Sequence, residues 1–368
     1  MNNIEDLEII NNVEKKYSQE IKDFQKFWYL GERFKYNSFV GYVNAPFSSK
    51  TFNISKLGFR GAEFTNKNLS NKKRVGVFGS SGLVGIPIIN DHNNIVAYSN
   101  NYFKEKNYNF ECLNFGVIAA RIGNEMKLIT KTLLEFELDY VVLMSGFNDA
   151  SSYTLGSLWE YQDIDNIYNL GFESNKNLIN PIFFLKRFWS SVKRKNEISK
   201  ATTLAEKKFR GAEKYFRSKR AKNIDNKQII PVFSQGEKIY LHCLNQIISA
   251  CNYQKIPFFY IFQPSLINTS KKLSRYELAA FKKQNNFFGE VEEVKNYRMN
   301  EFKKFYDAFG RNCNNYIKKS GSKIINIEEV FNNISSAEDI FYDESHYFES
   351  GNKLIGETIS KAIYEEFS

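Results

Sequence analysis

Cysteine, histidine and long apolar runs are all scarce in this chain, and each scarcity removes a class of protein. Its four cysteines, Cys112, Cys243, Cys251 and Cys313, are spread over 368 residues with no close paired spacing. A disulfide framework needs more of them, set closer together, so these read as reduced thiols. Three histidines, His92, His242 and His346, lack the Cys or carboxylate spacing of a zinc site, and no metal is expected. No apolar run approaches membrane-spanning length, and the opening Met1-Asn2-Asn3-Ile4-Glu5-Asp6 has no basic segment leading into an apolar one. The expected compartment is the cytoplasm.

Aromatic residues, by contrast, make up 16% of the chain and hydrophobic ones 42%, enough for a bulky core and too much for general disorder. The length exceeds that of an ordinary single domain, which implies one enlarged domain or a core with appendages. The formal net charge of +10 is concentrated in one place: fourteen Lys and Arg stand against three Glu between Lys186 and Lys222. The remainder is close to neutral. A nucleic-acid-binding chain is expected to line its working surface with basic residues, so no nucleic-acid partner is expected.

Taken in order, residues 3–28 place Ile4, Leu7, Ile10, Val13, Tyr17, Ile21, Phe24 and Trp28 at helical spacing. This predicts one amphipathic helix that packs on its own domain or docks elsewhere. An irregular stretch follows, in which Asn53 to Gly61 carries a single arginine. Arg60, with Asn53 near it, either clamps a substrate anion or makes a structural bond to carbonyls or a carboxylate. Strands are predicted at Arg74 to Phe78, Phe110 to Gly116, Tyr140 to Ser145, Ile256 to Phe262 and Lys323 to Ile327. Helices over 119–137, about 235–250, 306–319 and from Gly351 onward separate them. The alternation predicts an α/β domain over 74–368, with 1–73 as an N-terminal extension packed on it and 150–233 as an insertion. Within the insertion, Pro181 to Trp189 and Lys193-Arg194-Lys195 set apolar bulk beside positive charge. Residues 181–222 therefore read as a surface for an anionic membrane face or a polyanionic glycan, or as a solvated helical hairpin over the site mouth. The first of these would place the protein at the inner face of the membrane.

The first three strands each end in small residues, and ligands bind at the carboxyl ends of strands in open α/β sheets. Acyl transfer needs a nucleophile, a base, a carboxylate to orient the base, and donors for the oxyanion. Ser81 stands in the first strand-to-helix turn. The Ser81 and Gly116 amides and the Asn148 side chain are candidate oxyanion donors. Asp343 and His346, three apart, can face one cleft, and His346 is the only histidine with an acidic partner at a useful spacing.

In these residues the chain resembles the SGNH hydrolases, the GDSL-type esterases and lipases. Gly79-Ser80-Ser81-Gly82-Leu83-Val84-Gly85, Asn114-Phe115-Gly116, Gly146-Phe147-Asn148-Asp149 and Asp343-Glu344-Ser345-His346 correspond in order to the four blocks of that family. The resemblance implies a flavodoxin-like three-layer sandwich with a parallel sheet of about five strands. It also implies Ser81 as nucleophile, His346 and Asp343 as base and orienter, and Ser81, Gly116 and Asn148 around the oxyanion. Ser80 departs from the family's usual Asp. The Asn53 to Gly61 segment is similar to one in SGNH-like proteins of bacterial glycan loci, which points to an O-acyl, above all O-acetyl, carbohydrate ester and to no cofactor.

Three other readings stand beside the esterase. The same residues would serve an O-acyltransferase that delivers the acyl group to a glycan hydroxyl. The spacing Gly79-x-x-Gly82-x-x-Gly85, with Tyr215 and Lys219, is similar to NAD(P)-dependent short-chain dehydrogenases and epimerases, although Asn114 ends the second strand where a ribose-binding acid belongs. A non-catalytic binding module on the same fold is the third.

Overall fold

The apolar stripe of residues 3–28 folds as two helices in this computed structural model, which describes residues 3–61, 63–68, 70–154, 233–284 and 292–368. Helix α1 (Asn3–Lys16) and helix α2 (Ser18–Gln25) meet at Tyr17, whose ψ of 25° leaves the helical region, and a π turn over Lys26–Leu30 follows. The stripe faces the protein's own core. Ile10, Val13, Tyr17 and Ile21 pack on the main hydrophobic cluster, while Phe24, Phe27 and Trp28 join Phe47 and Phe52 in a smaller aromatic one. A hairpin of β1 (Phe34–Asn37) and β2 (Gly41–Asn44) comes next, its turn held by Asn37 Oδ1, which accepts the Phe39 and Val40 amides.

The five apolar runs then form five parallel strands. They are β3 (Lys73–Gly79), β4 (Phe110–Gly116), β5 (Tyr140–Ser145), β6 (Phe258–Phe262) and β7 (Lys323–Ile324), in the spatial order β4-β3-β5-β6-β7. This is the flavodoxin-like order, in which the crossovers place helices on both faces and the strands are apolar throughout. One face, through Val75, Val77, Cys112, Val142 and Ile261, meets α4 (Ile95–Glu105) and the final helix, with Ile355, Ile359 and Ile363. On the other face Phe78 stacks on Phe115 at 4.7 Å, and Tyr260 bonds to Tyr240 of the long helix Phe233–Tyr253. The fifth strand is shorter than its apolar run suggests, because only Lys323 and Ile324 pair with β6 before the chain turns away.

Met1–Thr154 and Phe233–Ser368 fold as one unit. Residues 1–73 are thus part of the body that carries the sheet, and the helix after β5, Phe147–Thr154, carries that body through Thr154, five residues into the stretch expected for the insertion. The basic segment 181–222, with Tyr215 and Lys219, lies outside the described residues. Among the described residues no helix is long and apolar enough to cross a membrane.

Candidate active site

Strand β3 is buried on both faces and stops where its last residue meets a neighbouring backbone. A side chain at Gly79 would lie 2.8 Å from the Met144 carbonyl of β5. The chain then makes one helical turn, α3 (Ser81–Val84). Ser80 caps it through its backbone alone, its carbonyl accepting the Leu83 and Val84 amides at 3.0 and 3.1 Å. Ser80 is buried, and its side chain makes no capping bond. Gly85 ends the turn with φ +74°, a left-handed conformation that glycine adopts without strain. Gly82 faces the base-bearing loop so closely that a Cβ would lie 2.9 Å from Gln263 Nε2 and 3.1 Å from the Ser345 carbonyl.

Arg60 and Asn53 do not line this site, and their substrate-binding reading is corrected. Arg60 is only 1% exposed. Its guanidinium pairs with Asp91 at 2.9 Å and donates to the carbonyls of Val84 (2.7 Å), Gly85 (2.8 Å), Thr51 (3.1 Å) and Ile89. Five acceptors leave no hydrogen free for an incoming anion. Asn53 donates to Asp91 Oδ2 at 2.5 Å and accepts from Ser48 and Ser49. Both residues brace the nucleophile turn from behind.

The base arrives from the opposite end of the sequence. A bridge between Phe341 and Tyr347 folds residues 341–347 into a tight loop, closed by the Tyr342 amide donating to the His346 carbonyl at 2.9 Å. Asp343 Oδ1 accepts the Ser345 and His346 amides at 3.0 and 2.9 Å. A buried carboxylate secures the approach to the loop: Glu277 Oε1 accepts the Ile340 and Phe341 amides, and Oε2 accepts Ser274 N and the fully buried Lys271 ammonium at 2.7 Å. Three loop carbonyls are also held, Tyr342 by Tyr276, Glu344 by Ser265 and Ser345 by Gln263.

These two supports bring Ser81, His346 and Asp343 into one hydrogen-bonded line. His346 Nε2 lies 2.9 Å from Ser81 Oγ, and Nδ1 lies 2.7 and 2.8 Å from the two Asp343 oxygens. Burial opposes the imidazolium, yet the adjoining Asp343 carboxylate, with Glu344 adding, raises the His346 pKa above its ordinary value. Burial likewise resists the Asp343 charge, but His346 and the two loop amides hold its pKa below the usual value. Glu344 is pushed up to about 7 by burial and by the Asp343 charge. His92 is exposed, and His242 lies on the far helix, Phe233–Tyr253.

The loop after β4 shows which amides are unclaimed. The Gly116 amide donates to Asn114 Oδ1 at 2.9 Å, so its reading as an oxyanion donor fails because the strand end folds its own side chain over it. Val117 donates to Gly79 O, Ile118 to Asn44 Oδ1, Ala120 to Val117 O, Arg121 to Asn124 Oδ1 and Ile122 to Asp149 Oδ2. Ala119 alone in this run has an amide without a partner among the described residues, and its φ of +60° is rare for a residue with a Cβ. Asn148 is half-buried and gives one side-chain hydrogen to the Ala120 carbonyl at 2.9 Å, which leaves its second for the cleft. Asp149 is structural: it accepts from Ile122 N and Tyr153 Oη, and burial raises its pKa to about 6.

Sequence reasoning missed Ala119, Asn44, Glu277 and Lys271. Alanine carries no mark of positive φ, whereas a glycine there would have drawn attention. Asn44 spans two carbonyls, Gly58 and Gly116, and the Ile118 amide from the N-terminal hairpin. No local pattern foretells such a long-range contact.

Fold and site together define an α/β sandwich with a Ser-His-Asp line at the carboxyl edge of its sheet. The chain matches no protein-family model. It matches none of the curated proteins either. Among solved structures it is similar to an acetyl xylan esterase, at 13% identity over 79% of this chain and 99% of that one, with a TM-score of 0.38. It is also similar to a catalytic mutant of an acetylxylan esterase from Geobacillus stearothermophilus (10% identity, 79% and 94% covered, TM-score 0.43). A third is a member of the lipolytic G-D-S-L family from Veillonella parvula (10%, 79% and 98%, TM-score 0.42). At such identities and scores these likenesses decide nothing about activity, which has to be argued from the atoms of this chain.

Proposed function

We propose that this protein is a serine esterase that removes O-acyl groups, above all O-acetyl, from a carbohydrate. The observation that carries the reading is the line Ser81 Oγ to His346 Nε2 at 2.9 Å and His346 Nδ1 to Asp343 at 2.7 Å, together with the unclaimed Ala119 amide. His346 takes the Ser81 proton as Oγ attacks the acyl carbonyl. The negative oxygen of the tetrahedral intermediate rests on the Ser81 and Ala119 amides and the free Asn148 hydrogen. Its collapse breaks the ester bond, and His346 returns the proton to the leaving sugar oxygen. Water, deprotonated by His346, then attacks the acyl-enzyme and releases the acid and free Ser81.

The three glycines of the opening turn each answer to a protein contact or a backbone need, and Gly82 is filled against Gln263 and Ser345. This favours a nucleophile turn over a cofactor turn, since a pyrophosphate needs that space.

A fluorophosphonate probe should label the wild type and not Ser81→Ala, and acetate release from an O-acetylated polysaccharide should fall by about 10⁴-fold or more in that variant. Well-folded wild-type protein that takes no label and releases no acid refutes the proposal and leaves the binding-module reading. Transfer to a sugar hydroxyl uses the same atoms; added acceptor that diverts acetate into a new ester would identify it.

A further inference from the structure

Two buried carboxyl groups outside the Ser-His-Asp line, Glu125 and Asp149, tie together the segments that carry the oxyanion donors. One segment runs from the loop after β4, with its unclaimed Ala119 amide, into the helix Ile122–Glu135, whose first turn holds Glu125. The other runs from the end of β5 into the helix Phe147–Thr154, with Asn148 and Asp149 in its first turn. Asp149 crosses the seam between them by accepting the Ile122 amide at 3.1 Å. Glu125 crosses it from the other side, its Oε2 bonded to the hydroxyl of Ser145, the last residue of β5. Asn148 makes a third tie, to the Ala120 carbonyl at 2.9 Å. How the Ala119 amide and the Asn148 side chain stand to one another depends on these three bonds.

The two carboxyls are unequally provided for. Asp149 has the Ile122 amide, the Tyr153 hydroxyl at 3.2 Å and the attraction of the Arg121 guanidinium. Glu125 has the Ser145 hydroxyl, and its Oε1 is buried with no hydrogen-bond partner among the described residues. The charged group that acts on it is the Asp149 carboxylate, which repels a second anion. The other titratable groups around the pair, Tyr153, Tyr240, Tyr306, Cys243 and Cys313, are kept neutral by burial. An ionised carboxylate so placed is far more costly than a carboxylic acid, whose unmet oxygen is a neutral acceptor and whose O–H can donate to Ser145 Oγ. Ser145 then has its own hydrogen for Tyr240, with which it also interacts, and the Tyr240 and Tyr260 hydroxyls continue the chain at 2.9 Å. Burial, with the Asp149 charge adding, accordingly pushes the Glu125 carboxyl up from 4.5 to about 8.

We infer that the two carboxyls hold one negative charge between them, with the proton on Glu125, and that Glu125 in its acid form is a positioning residue that keeps the Ala119 amide and Asn148 aimed at one point. Loss of that proton sets two anions across the seam and drives its sides apart, so both oxyanion donors move off the reacting oxygen. The positioning role rests on the esterase reading, but the shared proton does not.

Glu125→Gln, which keeps the shape and the donor of the acid but cannot ionise, tests both parts on the full chain. With 4-nitrophenyl acetate, wild-type kcat should fall by about tenfold or more between about pH 7 and about pH 9.5, as misplaced oxyanion donors require, while KM stays within about twofold. The fall should be absent from Glu125→Gln, each protein being compared with its own rate at the lower pH. A wild type without the fall, or a variant that keeps it, overturns the positioning role. The proton is read without catalysis. An unfolded chain gives it up near pH 4.5 and the folded one only near pH 8, so wild-type stability is lost as pH rises between those values. The urea midpoint of Glu125→Gln relative to wild type should therefore climb across that range and level off above it. A constant difference overturns the shared proton, and so does a Glu125→Gln chain that fails to fold, since the carboxylate itself would then be needed. Carbon-13 titration of the glutamate carboxyls in Glu344→Gln leaves Glu125 intact and should show one that stays protonated to near pH 8; none doing so overturns the shared proton as well. A climbing midpoint in a protein that hydrolyses no ester would instead refute the esterase and leave the shared proton standing.

Discussion

The nucleophile turn and the base loop solve the same mechanical problem with opposite charges. Around Ser81 the backbone presents carbonyls, and a buried cation, Arg60, gathers four of them while pairing with Asp91. Ahead of Asp343 the backbone presents amides, and a buried anion, Glu277, gathers three while pairing with Lys271. The sign of each buried group follows the polarity of the peptide groups that the local fold leaves unpaired. Desolvating an ion costs several kcal/mol, and only a full set of partners makes the burial tolerable. Neither brace is part of the Ser-His-Asp line, yet each sets the position of one half of it.

The comparison can be broken most severely at Arg60. Arg60→Met would strand four carbonyls and Asp91 at once, with an expected loss of about 5 kcal/mol in urea unfolding. Lys271→Met should cost about 3 kcal/mol, because it leaves the Glu277 charge unpaired but keeps its three amide bonds. Equal losses, or the reverse order, would show that the number of partners does not govern these braces. The smallest effect is expected at Glu344. His346 must be neutral to accept the Ser81 proton, so activity should rise with pH through a His346 pKa that Asp343 and Glu344 hold above the ordinary value. Glu344→Gln removes one of the two negative neighbours, and the acidic limb of kcat/KM should move to lower pH with the plateau nearly unchanged. An unmoved limb would mean that Asp343 alone sets the base.

Much of the fold was legible because a strand buried on both faces has to be continuously apolar, as Val75 to Phe78 and Val141 to Met144 are. The site was legible where chemistry constrains residue type: only His346 has a carboxylate three residues before it, and the structure brings that pair to Ser81. Backbone direction was not. The stripe over 3–28 reads the same whether or not Tyr17 breaks it, and nothing in Asn114-Phe115-Gly116 says that the asparagine turns back on the Gly116 amide. Nor does an isolated arginine announce burial. Arg60 is understood only from the five oxygens around it, which come from segments up to 31 residues away.

Asn44 carries a consequence for where the working unit begins. A chain cut just before Lys73 would keep every strand of the sheet and the whole Ser-His-Asp line. It would lose the amide that spans Gly58, Gly116 and Ile118, and the guanidinium behind Val84 and Gly85. Recognisable motifs begin near residue 74, but the contacts that hold the loop after β4 reach back to Asn44, at the end of the short N-terminal hairpin.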